Sequence, residues 1–491
     1  MQETIFCASS PSAPGLGQGI ISIHDLQTGT TLASFKQTNT ATDCTAVVES
    51  NSTHGGLFFA AQMDKAILNV YNFQKDQVAL KVVLPEKLSV ISTDKAGVYC
   101  AGGTVSGRIY FWEVASGILY GAWDAHYRKV TVLQFSADGR ALISGSEDSA
   151  VNVWPVSRLV DNTIQNDIPE PFCTLEDHTL PITDLCCGVG PFPKCRLLTS
   201  AADHSVKLWD IASHTLLTTF QFPKPILRLV FDVTERYFFG ASGDGAIYQI
   251  NLFRQAQSES HSGMSEAIGG AGLSDMIRIA NDVQDTQKRL ISVGEPVTSL
   301  AISLSSSLLL VGTSTGSIHL YDIPSHQLLR TIITQRGFAI THLRAMQKPS
   351  DLAGHINLSI ATGTTKSDDL LPILPVSAFQ KMKDPKAREA HEVTVLLTPS
   401  EKRDKFSSTD QYEQLIRDHL DFLQKVSPDE SAIPLQGRVR ELEVEVAQLQ
   451  TQLQKAKDVN DAMWDGVVRH LFSQGADSPE AGGPSQKKVR R

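Results

Sequence analysis

Apolar and polar residues alternate in short segments that recur about every 40 residues along the first two thirds of the chain. Such alternation is the pattern of a β-strand that packs on one face. The seven segments are 21–25, 68–72, 109–113, 151–155, 206–210, 247–251 and 318–322. Short turns and further strand-like stretches follow most of them. This organisation predicts an all-β fold, a seven-bladed β-propeller with four-stranded blades.

Repeats four and five carry four residues of matching type in the same order. The fourth repeat has His126, Ser144, Asp148 and Trp154, and the fifth has His178, Thr199, Asp203 and Trp209. Their order and spacing resemble the side-chain network of WD40 repeats. In that network the Asp accepts a hydrogen bond from the His, the His reaches the hydroxyl, and the hydroxyl reaches the indole N–H, so that no buried polar group lacks a partner. We therefore predict that these residues are structural, and that the histidines serve neither catalysis nor metal binding.

The other repeats depart from this network. The sixth keeps Asp244 but has Ile250 at the Trp position, and the seventh has Thr315 and Tyr321 in place of the Asp and the Trp. Repeats one and two lack the network altogether. We expect apolar packing and contact with neighbouring blades to hold these repeats together.

The first repeat supplies only three of the four strands that a blade needs. The missing inner strand is available at residues 338–346, whose sequence resembles the opening strand of the seventh repeat at 297–302. Pairing these distant segments would join both ends of the ring in one blade and protect its sheet edges. We predict that the ring closes in this way.

Two insertions interrupt the propeller, which we place at residues 1–400. Residues 160–174 form a polar loop, and residues 254–292 begin as a Ser/Gly-rich linker. Long loops in a compact ring are binding elements or disordered segments, so both are candidate partner surfaces. Within the second insertion we expect disorder over 254–272 and a short helix around 273–283. The apolar strip 370–375 is predicted to pack along the propeller.

From residue 401 the pattern changes from strand to helix. Residues 401–432 indicate a linker with an amphipathic helix, and residues 433–472 have an apolar heptad repeat. Its a positions are Val439, Val446, Leu453 and Asn460, and its d positions are Leu442, Leu449, Ala456 and Met463. A strict heptad favours a protruding coiled coil that binds a second copy or a partner. The alternative is a helix that folds back on its own propeller. Residues 473–491 are predicted to be a disordered basic tail.

Composition and charge narrow the class of protein. The 491 residues include 44 Lys and Arg against 53 Asp and Glu, and the resulting net charge of −9 argues against broad wrapping by nucleic acid. No apolar run has the length of a membrane span, and the N-terminus lacks the pattern of a signal peptide. The seven cysteines lack zinc-site spacing and are typical of reduced thiols in an intracellular protein.

A search for catalytic motifs gives no candidate. The sequence contains no phosphate-binding loop, nucleophile elbow, kinase signature or H-E-x-x-H motif. We therefore predict a protein that is not an enzyme, with no catalytic residue, no cofactor and no metal site.

Four stretches resemble one family of WD40 proteins in particular: 180–188, 206–210, 243–253 and the helical 438–446. They are similar to the WD-repeat subunit of the Rix-type pre-60S ribosome-processing complex. The resemblance follows the order of the chain from the first blade to the heptads. It is most specific over 180–253 and 436–450, whereas the first two blades and 254–292 match poorly.

This resemblance implies a non-enzymatic scaffold in the nucleus (nucleolus and nucleoplasm), needed for pre-rRNA internal-spacer processing and large-subunit maturation. The implied partners are a helical-repeat scaffold subunit, other subunits of that complex, and a midasin-type AAA ATPase on pre-60S particles. Two copies would be present through the C-terminal helix, RNA contact would be indirect, and no membrane is involved. The alternative is a WD40 substrate receptor or chromatin adaptor that binds peptides on the top face of the propeller.

Overall fold

The computed structural model describes most of the repeat region and part of one C-terminal helix. The described residues are 2–12, 17–36, 38–50, 54–161, 169–255, 265–267, 275–279, 290–352, 372–383, 444, 446–455, 457, 458 and 463. The chain divides into two units, Met1–Leu397 and Thr398–Arg491.

Seven sheets, each with four antiparallel blade strands, form a β-propeller, which confirms the predicted fold. Blades are numbered along the chain. Blade one contains β1 (Glu3–Pro11), β2 (Ile20–Asp25) and β3 (Thr31–Phe35), and blade two contains β4 (Thr40–Val48), β5 (Leu57–Gln62), β6 (Ile67–Asn72) and β7 (Leu80–Val83). Blade three contains β8 (Leu88–Thr93), β9 (Tyr99–Thr104), β10 (Arg108–Glu113) and β11 (Leu119–Asp124). Blade four contains β12 (Val130–Phe135), β13 (Ala141–Ser146), β14 (Val151–Pro155), the short helix α1 (Val156–Val160) and β15 (Cys173–Leu175).

Blades five to seven follow the same order of strands, from the inner to the outer edge. Blade five contains β16 (Ile182–Cys187), β17 (Arg196–Ala201), β18 (Ser205–Asp210) and β19 (Thr215–Gln221). Blade six contains β20 (Ile226–Phe231), β21 (Tyr237–Ser242), β22 (Ala246–Asn251) and β26 (Leu290–Ser292), and its insertion before β26 contains β23 (Phe253–Gln255), β24 (Ser265–Ala267) and β25 (Asp275–Arg278). Blade seven contains β27 (Val297–Ile302), β28 (Leu308–Thr313), β29 (Ser317–Asp322) and β30 (Leu328–Ile333). The last described strand is β31 (Phe338–Gln347).

Strand β31 closes the ring, as the sequence predicts. It pairs antiparallel with β1, with Glu3 opposite Gln347 and Pro11 opposite Phe338, and becomes the inner strand of blade one. Its other neighbours are the inner strands β27 and β4, so the seven inner strands form a continuous circle. Both ends of the propeller are therefore held in one sheet.

Aromatic packing fills the blades that lack the polar network, as expected. The Phe58 ring stacks on Tyr71 at 4.8 Å and meets the edges of Phe35 at 4.8 Å and Phe6 at 5.2 Å. All four side chains are fully buried between blades one and two. Aromatic pairs in these geometries are favourable beyond the area that they bury.

Side-chain hydroxyls connect neighbouring inner strands. Each lies where the register of an inner strand shifts by one residue, and each donates to a backbone oxygen of the next blade. The pairs are Ser89 to Val130 at 2.7 Å, Thr183 to Ile226 at 2.6 Å and Thr298 to Ile340 at 2.6 Å. These bonds fix the spacing of the blades around the central channel.

The insertion of blade six contains strands where a helix was predicted. Residues Asp275–Arg278 pair in parallel with β19 of blade five, so the predicted helix around 273–283 is wrong there. Ile277 and Ile279 pack on the apolar cluster of blades five and six, which the alternation of a strand allows. Strands β23 and β24 form a two-stranded ribbon within the stretch expected to be disordered. The rest of this stretch and residues 162–168 of the other insertion lie outside the described residues.

Residues 372–383, here called the strap, lie against blades two and three. Leu374 and Val376 pack on the apolar cluster of these blades, and Phe379 is buried within it. The prediction for 370–375 is confirmed for its described part. In the second unit, the described residues between 444 and 463 are helical, whereas 401–432 and 473–491 lie outside the described residues.

Candidate functional site

The polar network of blade four joins strands β13 and β14 to the loop before β12 through four side chains. His126 Nδ1 lies 3.1 Å from Asp148 Oδ2, and His126 Nε2 lies 2.8 Å from Ser144 Oγ. The indole N–H of Trp154 donates to the same Ser144 oxygen at 3.0 Å. Burial opposes ionisation of Asp148, but hydrogen bonds from His126 and from backbone N–H groups outweigh it and lower the pKa of this carboxyl.

Blade five repeats this arrangement with a threonine. His178 lies 3.0 Å from Asp203 and 2.8 Å from the Thr199 hydroxyl, which also accepts the Trp209 N–H at 2.8 Å. The pKa of Asp203 is lowered because hydrogen bonds from His178 and Ser205 outweigh the opposing effect of burial. The structure thus brings together all eight residues singled out in repeats four and five.

These networks have the Ser–His–Asp order of a hydrolase triad but not its accessibility. A catalytic serine needs a free path to the carbonyl that it attacks. Ser144 and Thr199 are fully buried, and each oxygen already accepts an indole N–H. A substrate has no route to either hydroxyl, so both networks serve the fold.

Blade three uses its tryptophan differently. Trp112 stands opposite Cys100 as Trp154 stands opposite Leu142, and the residue two places on is Gly102 where blade four has Ser144. With no hydroxyl available, the Trp112 N–H donates to the backbone oxygen of Gln380 in the strap. The tryptophan at the equivalent position of blade three therefore holds a segment from outside that blade.

Further contacts attach the strap to the same blade. The Phe379 ring stacks on Trp112 with centroids 5.2 Å apart, and the Gln380 N–H donates to the Gly117 oxygen at 2.8 Å. Gly117 has a φ of +72°, and a Cβ there would collide with the Ala378 oxygen. A glycine is thus required where the strap crosses the turn. Sequence alone missed this attachment, although Gly102 at the hydroxyl position is a signal for it.

An ion pair crosses the central channel between blades that are not neighbours. Arg228 of blade six donates to both carboxylate oxygens of Asp43 in blade two, at 2.9 and 3.0 Å, and its Nε donates to the Thr298 oxygen at 2.8 Å. Asp43 has a φ of +59° and lies in residues 41–44, which interrupt the pairing between β4 and β5. In blades three to seven a single residue interrupts the inner strand. The longer interruption brings the carboxylate to the arginine.

Two further ionisable groups line the channel. Burial raises the pKa of Asp184 to about 7, an effect that the Arg228 charge reduces. Burial also lowers the pKa of His342 to about 4. Asp184 also accepts the Leu229 N–H at 2.8 Å, a hydrogen bond that connects the inner strands of blades five and six. The sequence offered no periodic signal for this cluster.

The mouth of the channel is a depression of about 450 Å³ that is lined by residues of blades two to seven, among them Lys129, Glu147, Leu227 and Arg228. Its charges are of both signs. Tyr127, in the loop before blade four, is 98% exposed and follows a histidine of the network.

Four of the predicted coiled-coil positions lie on described helical residues. Val446, Leu449, Leu453 and Met463 are all exposed within the described residues. Val444 is exposed as well, at position f of its heptad, so the apolar surface is wider than a single seam. Val439, Leu442, Ala456 and Asn460 lie outside the described residues.

Within the described ranges, no group of three or more His, Cys, Asp or Glu side chains is arranged to hold a metal ion. No helix of the described part is long and apolar enough to span a membrane.

The repeated blades and their networks define a WD40-repeat propeller. The family model described as "WD domain, G-beta repeat" matches residues 117–155 and 169–210, the two segments that contain most of blades four and five.

Known proteins narrow the class further. The chain is 32% identical to the pre-rRNA-processing protein IPI3 of Mycosarcoma maydis, over 85% of this chain and 86% of that protein. It is 29% identical to the protein of the same name from Yarrowia lipolytica, over 90% and 95%. It is also 30% identical to human WD repeat-containing protein 18, over 67% and 68%. The chain belongs to the IPI3 family of WD40-repeat proteins.

Proposed function

We propose that this protein is a non-enzymatic scaffold subunit of a nuclear assembly that processes pre-rRNA and matures the large ribosomal subunit. The observation that carries this proposal is the relation to IPI3 over 85% of the chain, which extends beyond the two canonical repeats. A generic WD40 likeness would be confined to those repeats. The relatives from Mycosarcoma maydis and Yarrowia lipolytica are named pre-rRNA-processing proteins, and the proposal extends that role to this chain.

The chemistry of the propeller supports a binding role. The His, Ser and Asp side chains of its polar networks are used within the blades, where a substrate has no access. The net charge of −9 disfavours a broad RNA-binding surface, so we propose that RNA is held through other subunits.

The finer assignment names the partners. We propose a helical-repeat scaffold subunit as the direct partner, two copies of this chain joined through the helix within 433–472, and cooperation with a midasin-type AAA ATPase on pre-60S particles. The exposed apolar side chains of that helix, among them Leu449 and Leu453, support a pairing role. The propeller at 1–400 and the linker at 401–432 would carry the other contacts, in the nucleolus and nucleoplasm.

Affinity purification tests this proposal. The tagged full-length protein is purified from its own cells, and the co-purifying proteins are identified by mass spectrometry against cells that express the tag alone. We expect large-subunit assembly factors and one helical-repeat protein in near-equal amount. Cullin adaptors or histone-modifying enzymes in their place would favour the substrate-receptor or chromatin-adaptor alternative.

A further inference from the structure

The outer strand of blade seven exposes a row of aliphatic side chains. Leu328, Leu329 and Ile333 of β30 are 49%, 58% and 56% exposed. Among the described outer strands of the other blades, β7 exposes one large aliphatic residue, Val83, and the outer strands β3, β11, β15 and β26 expose none. Exposed strand edges are normally protected by short length, charge or a covering element. Strand β30 has six residues and one charge.

The backbone of β30 offers hydrogen bonds on its free side. It is the last strand of its sheet, and no other described strand pairs with it. The Thr334 N–H donates to the Gly316 oxygen, so residues at alternate positions before it face β29. The N–H and C=O groups of Thr331 and Ile333 therefore point away from the blade, whereas the register shift at Leu329 ends the alternation before that residue. Such a row is the template to which an added strand binds.

The charged side chains of β30 and of the turn after it are basic. Between Ile323 and Gly337 the sequence has two arginines, Arg330 and Arg336, and no carboxylate, whereas Asp322 lies at the turn before β30 and accepts the Ser325 N–H. Both arginines are exposed. A segment that pairs with β30 would be complementary if it had apolar side chains along its length and carboxylates near its ends.

Blade five shows how this propeller accommodates a fifth strand. Strand β25 of the same chain pairs in parallel with the outer strand β19, from Thr218 opposite Asp275 to Gln221 opposite Arg278. Ile277 then packs on the apolar cluster of the blade. The same addition at blade seven would cover the exposed leucines, and no described segment of this chain does so.

We propose that the free edge of β30 is a docking site for an extended segment of a partner protein, which adds to blade seven as a fifth strand. The segment has alternating apolar residues and flanking carboxylates. This inference rests on the proposed function, because it assigns a partner surface to the scaffold. That surface is separate from the C-terminal helix that we propose for pairing.

Site-specific photo-crosslinking tests the proposal in the full-length chain. p-Benzoylphenylalanine replaces Leu329 in one variant and Val83 in a matched control, which is similarly exposed on the outer strand of blade two. We expect a crosslink from position 329, but not from 83, to a peptide of another protein that shows the apolar alternation and acidic flanks. A crosslink to a second copy of this chain, or none at 329 while the usual partners co-purify, overturns the proposal.

A synthetic peptide of the mapped sequence then tests the mode of binding. We expect the double variant Leu329→Lys with Ile333→Lys to bind it at least about tenfold more weakly, and Val83→Lys to bind it as the unaltered protein does. Ile333→Pro removes an outward N–H, so it should bind more weakly than Ile333→Ala. Equal binding by these last two contradicts strand addition. If position 329 crosslinks to a segment of this kind in a protein outside ribosome assembly, the docking site stands and the proposed function fails.

Discussion

Trp112 and Gln380 are 268 residues apart in the chain, yet the indole N–H of Trp112 donates to the Gln380 backbone oxygen at 3.0 Å. In blades four and five the indole N–H of the equivalent tryptophan binds a hydroxyl of its own blade, whereas in blade three it binds the strap. The replacement of a hydroxyl by Gly102 makes this possible, because the indole has no partner inside its own blade. The last described segment of the first unit is thereby attached to the propeller.

Removing the contacts of the strap should destabilise the propeller. Trp112→Phe keeps the stacking but leaves the Gln380 oxygen without its donor, and we expect a loss of about 1 kcal/mol. Phe379→Ala deletes a buried ring and should cost about 3 kcal/mol. Phe253→Ala, at an exposed ring, is the control and should change stability by less than about 0.5 kcal/mol. Urea unfolding of the full-length protein measures all three. Equal stability of Phe379→Ala and the control would show that the strap is not held as described.

The blade networks should behave as structural units. Ser144→Ala leaves His126 Nε2 and the Trp154 N–H without a buried partner, so we expect a loss of about 2 kcal/mol. Ser213→Ala, at an exposed hydroxyl of blade five, should have little effect. Thermal unfolding checks the difference. A variant as stable as the control would mean that the network contributes nothing to the fold.

Stability should depend on pH through two channel residues with opposite signs. The pKa of His342 falls from 6.5 to about 4, so between these values the unfolded chain binds a proton that the folded chain does not. Its contribution to folding is therefore lost as pH falls through this range. The pKa of Asp184 rises to about 7, so from pH 4 to 7 the folded chain holds the proton and stability falls as pH rises. The charges facing these groups are Asp43, Arg228 and Arg344.

Two variants separate these effects. We expect the free energy of unfolding of His342→Gln, relative to the unaltered protein, to improve as pH falls from 6.5 towards 4. The free energy of unfolding of Asp184→Asn, relative to the unaltered protein, should fall over the same interval. The reason is that the unaltered protein gains stability as its Asp184 carboxyl becomes protonated, and the Asn variant does not. Urea titrations at several pH values measure both. Parallel curves for all three proteins would contradict the assigned pKa directions.

The heptad helix should determine how many copies associate. Leu442→Asp with Leu449→Asp places two charges at d positions, which should cost several kcal/mol of helix pairing. Sedimentation of the full-length protein should then show single chains. Ala447→Asp with Thr451→Asp, at positions b and f, is the matched control and should leave association unchanged. Identical sedimentation of the two double variants would rule out pairing through this seam.

The sequence predicts those features that recur at a fixed period. Alternation at period two predicted the blades, and the resemblance of 338–346 to 297–302 predicted the closing strand β31. The four-residue segment Asp275–Arg278 was misassigned because a short apolar run fits a helix or a strand, and its pairing with β19 decided the outcome. The Asp43–Arg228 ion pair depends on a local interruption of one strand and on the geometry of the ring. Neither the interruption nor the ring geometry produces a repeating pattern in the sequence.

Conditional depletion of the protein from its own cells, followed by measurement of pre-rRNA intermediates, tests the proposed function most directly. We expect precursors that retain the internal spacer to accumulate and mature large-subunit rRNA to fall, while small-subunit rRNA is made as before. Expression of the full-length protein should restore the normal pattern. Unchanged precursor levels after complete depletion would contradict a role in pre-rRNA processing.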